Sequence, residues 1–324
     1  MQKLSSSGSS KRLPYHRYLG VDGGGTKTTV ALMNEAHEVI AEGRGGPSNP
    51  LRVGVETAVA NIAKAVDEAC DRGGISRGDI VSATLGLAGT RRKDIRERIR
   101  ESFLARFRVK KIAVTTDADI ALYGTTLGKA GLAVIAGTGS ICLGINDKGE
   151  KAMSGGWGPI AGDEGGGRGI AELALHAVAK ASDGRGPETK LTERASNYFR
   201  ASNVDNLIGA IYAPKMDNSR IAGFAKSVVE TAMEGDKVAV EIITRSGYEL
   251  GIAAAAVIRR LRLQRKTFTV GCVGGVFHAG SILTAPMVAE IRQIAPKATL
   301  DRPQLAPSHA AALMAMNNGQ KQMR

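Results

Sequence analysis

The chain has 324 residues and a formal net charge of +13, from 44 Lys and Arg against 31 Asp and Glu. With 43% apolar and 23% charged residues, it is not a wholly disordered chain, and its length at ~150 residues per domain predicts two domains. No apolar run reaches the ~18 residues a membrane helix needs. The polar start lacks the apolar stretch of a secretory signal, and residues 1–16 read as a flexible tail. Three scattered cysteines with no CxxC pair give no disulfide framework. The expectation is a cytoplasmic protein with no membrane partner.

In chain order, 18–22 and 28–33 read as strands joined by a glycine turn, and 37–42 adds a third. Apolar residues at Val55, Val59, Ile62, Ala63, Val66 and Ala69 predict a helix over 53–70. A strand follows at 81–87, a charged helix at 91–106, a strand at 110–114 and a helix from 118. The pattern then restarts. Residues 131–136 and 140–146 are strands around a second glycine turn, and a glycine-rich loop runs from Ser154 to Gly169. Helices are predicted near 168–180, 189–200, 219–233 and 236–262, a strand at 268–273, and helices at 280–293 and 307–317. The repeated strand, Gly/Thr turn, strand opening is a weak internal duplication. The order of elements predicts an α/β fold with helices packed on mixed sheets.

Five motifs carry chemistry. Asp22 to Thr28 (DGGGTKT) lies between two strands. Its glycines let the backbone approach a ligand, and Gly24, Gly25, Thr26 and Lys27 suit phosphate oxygens, while Asp22 could hold a metal through water. It is neither a Walker A loop nor a dinucleotide fingerprint. Gly137-Thr138-Gly139-Ser140 repeats the device. Asp117 stands where a strand gives way to a helix, as an N-cap or as a carboxylate that takes a proton from a hydroxyl; Asp119 is its local competitor. The loop Gly155 to Gly165 contains the sole Trp, Trp157, and an acid, Asp163, suited to hydroxyls. Gly274 and Gly275 follow a strand and would admit a ring or phosphate. Asn49, in a Pro-Ser-Asn-Pro turn, is a further candidate for a sugar hydroxyl. The basic excess is densest from Arg91 to Arg100 and from Arg259 to Lys266. Asp94, Glu97 and Glu101 interleave the first at helical spacing, so the charge reads as a field for a small polyanion rather than a nucleic-acid site.

Taken in order, DGGGTKT, PSNP (47–50), TTDA (115–118), GTGS (137–140), GGWGPIAGDEG (155–165) and VGGVF (273–277) resemble the BadF/BadG/BcrA/BcrD ATPase family, nearest its N-acetylglucosamine kinases. The resemblance covers about residues 18–317. It implies the actin-like fold of sugar kinases and Hsp70, with two α/β domains around an ATP cleft. These would span 17–117, completed by a helix at 305–318, and 118–304. It implies ATP and Mg²⁺, and transfer to the 6-hydroxyl of N-acetylglucosamine, with glucosamine as the alternative substrate. Thr26 and Thr138 would contact phosphates, Asp22 would place magnesium, and Asp117 would be the general base. Asn49, Ser140, Ile141, Gly156, Trp157, Gly158 and Asp163 would line the sugar site, with Gly274 and Gly275 near the adenosine. Ile141 could serve the sugar only through its backbone. Ser308-His309 departs from the small residues expected before the last helix. A homodimer is implied. The family also contains activators of 2-hydroxyacyl-CoA dehydratases, whose cysteines hold an iron–sulfur cluster. Here the cysteines lie in or beside predicted strands or a helix.

Overall fold

The computed structural model describes residues 16–214 and 216–320, without the side chain of Gln320. Most of the expected N-terminal tail lies outside the described residues. The chain divides into two compact units, one running to Ile120 and resuming at Ala306, the other from Ala121 to Leu305.

The first unit contains β1 (Arg17–Gly23), β2 (Thr28–Met33), β3 (Val39–Gly45), α1 (Pro50–Val53), α2 (Val55–Gly73), β4 (Ile80–Leu87), α3 (Lys93–Leu104), β5 (Lys111–Thr116) and the start of α4 (Asp117–Thr126). The sheet order is β3-β2-β1-β4-β5. β1, β2 and β3 pair antiparallel, and β4 and β5 join parallel to the growing edge. The predicted period of α2 is realised: Ala58, Val59, Ile62, Ala65, Val66 and Ala69 are fully buried. Each such Val or Ile side chain contributes roughly 1.5–3 kcal/mol. Gly43 allows α2 to lie close on the sheet, since a Cβ there would stand 2.0 Å from the Ala65 carbonyl oxygen.

The second unit contains β6 (Gly131–Ala136), β7 (Ser140–Ile145), β8 (Lys151–Gly155), α5 (Gly167–Ser182), α6 (Leu191–Phe199), α7 (Leu207–Ile211), α8 (Asn218–Gly223), α9 (Ala225–Met233), α10 (Lys237–Leu261), β9 (Phe268–Val273), α11 (Ser281–Ile294) and β10 (Ala298–Asp301). Its sheet order is β10-β9-β6-β7-β8. Three antiparallel strands are again extended by two parallel ones. The duplication suggested by the two glycine turns therefore extends to the whole sheet topology.

The last helix, α12 (Pro307–Gln320), belongs to the first unit. Gly20 makes room for it: a Cβ there would meet the Ser308 carbonyl oxygen at 2.1 Å. Ala312, Ala315 and Met316 are buried with Tyr18, Ala31 and Met33. Ser308 is buried and His309 bonds Glu42 on β3, so the two unexpected residues are accommodated in the packing of α12.

The sequence reading misses β8 and β10. Each is a short edge strand with mixed polarity, and β8 ends inside the stretch read as loop from Ser154. The single helix expected over 219–233 is two, divided at Phe224, which is fully buried. No helix among the described residues is long and apolar enough to cross a membrane.

Candidate functional site

The β1–β2 turn closes with Gly24 N donating to Lys27 O at 2.9 Å. Its outer face is held by the segment that follows β3, because Ser48 N and Asn49 N both donate to Gly24 O. Thr28 is wholly buried, and its hydroxyl bonds the Gly46 carbonyl oxygen and the Ser48 hydroxyl. It braces the turn and does not face a ligand. Thr26 and Lys27 are exposed at the tip. Among the described residues the amides of Gly25 and Thr26 donate to no backbone acceptor. A tight turn with outward amides and a hydroxyl is an anion-binding concavity.

Asp22 is the penultimate residue of β1, beside this turn. Burial, and next the charge of Asp117, push its carboxyl up to about 6, while Lys27 pulls the other way. Asp117 is the first residue of α4. Its Oδ1 accepts from Ala118 N at 3.0 Å, so the carboxyl sits on the positive end of the helix. Water reaches the side chain, yet the protein around it desolvates the carboxyl and raises its pKa. Asp119 has a different task. Its Oδ2 accepts from the Thr115 hydroxyl, the Thr116 hydroxyl and Thr116 N, while Asp119 N donates to Thr116 Oγ1. This reciprocal capping box makes Thr116, not Asp117, the N-cap of α4. Asn49 caps α1: its Oδ1 accepts from Leu51 N at 3.0 Å. Its amide group has no partner among the described residues.

In the second unit, Gly137 N donates to Gly139 O at 2.9 Å and closes the β6–β7 turn. Gly167 N and Arg168 N, at the start of α5, donate to the carbonyls of Gly137 and Thr138. With those carbonyls held by the helix, the amides of Thr138 and Gly139 have no backbone acceptor among the described residues, and Thr138 is exposed. Asp163 fixes the other side. Its Oδ1 accepts from Ser140 N at 3.2 Å, and Ser140 Oγ donates to the Glu164 carbonyl at 2.6 Å. A Cβ on Gly139 would stand 2.4 Å from that same Oδ1, so only glycine fits. Asp163 has φ 67°, a conformation that costs a non-glycine residue about 1 kcal/mol or more. Its carboxyl pKa is raised, chiefly by burial.

The loop after β8 uses glycine for geometry. Gly155, Gly156 and Gly158 have φ of 80°, 70° and 85°. Gly156 N donates to Ser140 O, and the Ile141 side chain packs on Gly156. Trp157 is 69% exposed and presents its indole at the surface of this loop. Gly274, with φ 114°, lies against the second turn: a Cβ would be 2.2 Å from the Ala136 carbonyl oxygen. Gly274 and Gly275 are both exposed.

A cavity of 650 Å³ opens from Gly137 and Thr138. Gly275, Val276 and His278 form one wall, and Ser219, Ala222, Lys226 and Glu230 of α8 and α9 form the other. The sequence reading finds the glycines but not the helical wall. Nothing in the α8–α9 segment distinguishes it from an ordinary amphipathic helix, and only its break at Phe224 sets the wall's shape. The three cysteines do not cluster. Cys70 is on α2, Cys142 on β7 and Cys272 on β9, and burial raises the pKa of each thiol.

Two units with one duplicated topology, each with a Gly/Thr turn between its first two strands, define an actin-like ATPase fold. A ROK family glucokinase from Streptomyces griseus, solved with glucose and AMPPNP, shares that fold with TM-score 0.58 at 18% identity, over 94% of this chain and 99% of that one. The chain belongs to the BadF/BadG/BcrA/BcrD ATPase family, which it matches over residues 19–315. It is 33% identical over 260 residues to an N-acetylmuramic acid/N-acetylglucosamine kinase of Clostridium acetobutylicum, covering 80% of this chain and 85% of that protein. It is 31% identical over 314 residues to an N-acetyl-D-glucosamine kinase of Dictyostelium discoideum, covering 93% of this chain and 98% of that protein.

Proposed function

We propose that this protein is an ATP-dependent kinase that phosphorylates the 6-hydroxyl of N-acetylglucosamine, yielding N-acetylglucosamine 6-phosphate and ADP. The observation that carries this reading is the division of labour at the head of α4. Asp119 is held in the capping box, while Asp117, water-accessible and with a raised pKa, is left to accept a proton. A base whose pKa is shifted toward neutrality suits general-base catalysis.

Phosphoryl transfer depends on positioning and charge neutralisation more than on covalent help. Gly24, Gly25, Thr26 and Lys27 in one turn and Thr138 and Gly139 in the other would hold the phosphates through outward amides, hydroxyls and one ammonium. The 650 Å³ cavity that starts at Thr138 suits the nucleoside, with Gly275 in its wall and Gly274 beside it in the chain. The sugar oxygen O6 attacks the γ-phosphorus as Asp117 takes its proton. The O6–P bond forms, the bond to the β-phosphate oxygen breaks, and ADP leaves. Asn49, through its free amide group, and Asp163 would bind sugar hydroxyls, and the backbone of Ser140, Ile141, Gly156 and Gly158 would line the pocket. The exposed face of Trp157 offers an apolar surface for the acetyl methyl.

Asp22 fits magnesium. Its carboxylate, disfavoured by burial and by the charge of Asp117, is a hard-oxygen donor that a divalent cation relieves. Asp22 would hold the ion through water. When bound, magnesium neutralises charge on the phosphates.

ADP release from MgATP, measured in parallel with N-acetylglucosamine, glucosamine, glucose and no sugar, tests the reading. Release that depends on N-acetylglucosamine supports it. Release that depends on glucosamine alone moves the assignment to that sugar, and sugar-independent release contradicts a kinase.

A further inference from the structure

The charge of the chain is unevenly placed. Residues 91–111 contain ten Lys and Arg against three Asp and Glu, so this short segment supplies +7 of the net +13. Helical spacing spreads part of that charge along the solvent face of α3, where Arg92 pairs with Asp94. Three of the ten cations meet at a concavity at the outer edge of the first sheet. This cavity of 470 Å³ is lined by Arg100 from α3, Lys110 and Lys111 at the entry to β5, and Asn318 from α12. Its apolar lining is Leu104, Val109 and Ile112 with neighbouring alanines. β5 is the terminal strand of the sheet, so no further strand covers the pocket within this unit.

The cations are not equivalent. Lys111 Nζ donates to the carbonyls of Asn318 and Gly319 at 3.2 and 2.8 Å and caps the C-terminal end of α12. Its charge is already matched to the negative end of a helix. Arg100 and Lys110 are exposed and have no carboxylate partner among the described residues. Two unpaired cations from different elements, facing one pocket over an apolar floor, suit a compact anion with a carbon body. A guanidinium fork and an ammonium together match a doubly charged phosphate better than a single carboxylate.

We propose that the pocket between α3, β5 and the end of α12 is a binding site for a small organic phosphate, with Arg100 and Lys110 on the phosphate and Leu104, Val109 and Ile112 beneath the carbon body. It lies at the entry to β5, whereas Asp117 follows the other end of that strand. Within this unit it therefore stands apart from Asp22, Asp117 and the first glycine turn.

The test is calorimetric titration of the full chain with phenyl phosphate while ADP saturates the nucleotide site. The expected result is saturable binding, tighter than that of inorganic phosphate, that weakens about tenfold or more in the Arg100→Gln/Lys110→Gln double variant. Lys110→Arg should keep the binding, and both variants should keep the wild-type ADP affinity and melting temperature. Three results would overturn the proposal: no binding to the ADP-saturated wild type, equal binding by the double variant, or no preference over inorganic phosphate. Should a single-stranded RNA oligonucleotide bind through Arg100 and Lys110 while phenyl phosphate does not, the face is a site for an extended polyanion and the small-ligand assignment falls.

Discussion

The two glycine turns solve one problem with different supports. In the first unit the β1–β2 turn is braced from outside by Ser48, Asn49 and the buried Thr28 hydroxyl, and the acids beside it, Asp22 and Asp117, keep raised pKa values. In the second unit the acid is part of the brace. Asp163 is buried against Gly139 and bonded to Ser140 N, and the first amides of α5 hold the turn's carbonyls. The duplicated topology thus presents two similar rows of amides. Acids whose carboxyls do not brace the turn stand beside one, and an acid that fixes shape stands beside the other. A carboxylate next to a phosphate-binding turn is not by itself a catalytic group, and its hydrogen bonds decide which role it has.

That contrast can be broken in order of expected size. Asp117→Asn should lower turnover by roughly 10²–10⁴-fold while ADP affinity stays near wild type, measured by steady-state kinetics and calorimetry. Near-normal turnover would remove Asp117 as the base. Asp22 should reveal itself through stability. Its folded pKa of about 6 lies above an unfolded value near 3.9, so the folded state disfavours its charge. The penalty is absent below pH ~4, grows as pH rises through ~6, and is complete above that, at up to roughly 3 kcal/mol. Asp22→Asn should therefore raise the melting temperature of the metal-free protein at pH 7.5 and leave it unchanged at pH 4. An equal gain at both pH values would contradict the linkage.

Gly139→Ala places a methyl 2.4 Å from a buried carboxylate oxygen and should destabilise by roughly 1–3 kcal/mol in denaturant unfolding, with loss of nucleotide affinity. An alanine tolerated without either effect would show that the Asp163 brace is loose. The smallest effect is expected from Asp163→Asn. The amide oxygen can still accept from Ser140 N and the charge no longer has to be buried, so stability should change by less than about 1 kcal/mol while KM for sugar rises. A large stability loss with unchanged KM would make Asp163 purely structural.

Much of the fold is legible in the sequence because its signals are local. The 3–4 spacing of α2, the short apolar strands and the two Gly/Thr turns each need only a few adjacent residues. What is not legible depends on distant partners. Thr28 and Thr26 look alike in the turn motif, yet one faces Ser48 and is buried. Asp117 and Asp119 are two residues apart, and the bonds from Thr115 and Thr116 to Asp119 tell them apart. The helical wall of the 650 Å³ cavity depends on how α8 and α9 return to the second turn, which no periodicity encodes. The edge strands β8 and β10 carry too little apolar pattern to be read alone.

The most direct test of the central claim is the proton-coupled phosphorus spectrum of the product formed from MgATP and N-acetylglucosamine. The account predicts a phosphomonoester signal split into a triplet by the two protons on C6, growing with ADP. A doublet, from phosphate on a ring carbon, or inorganic phosphate alone, from hydrolysis, would contradict it.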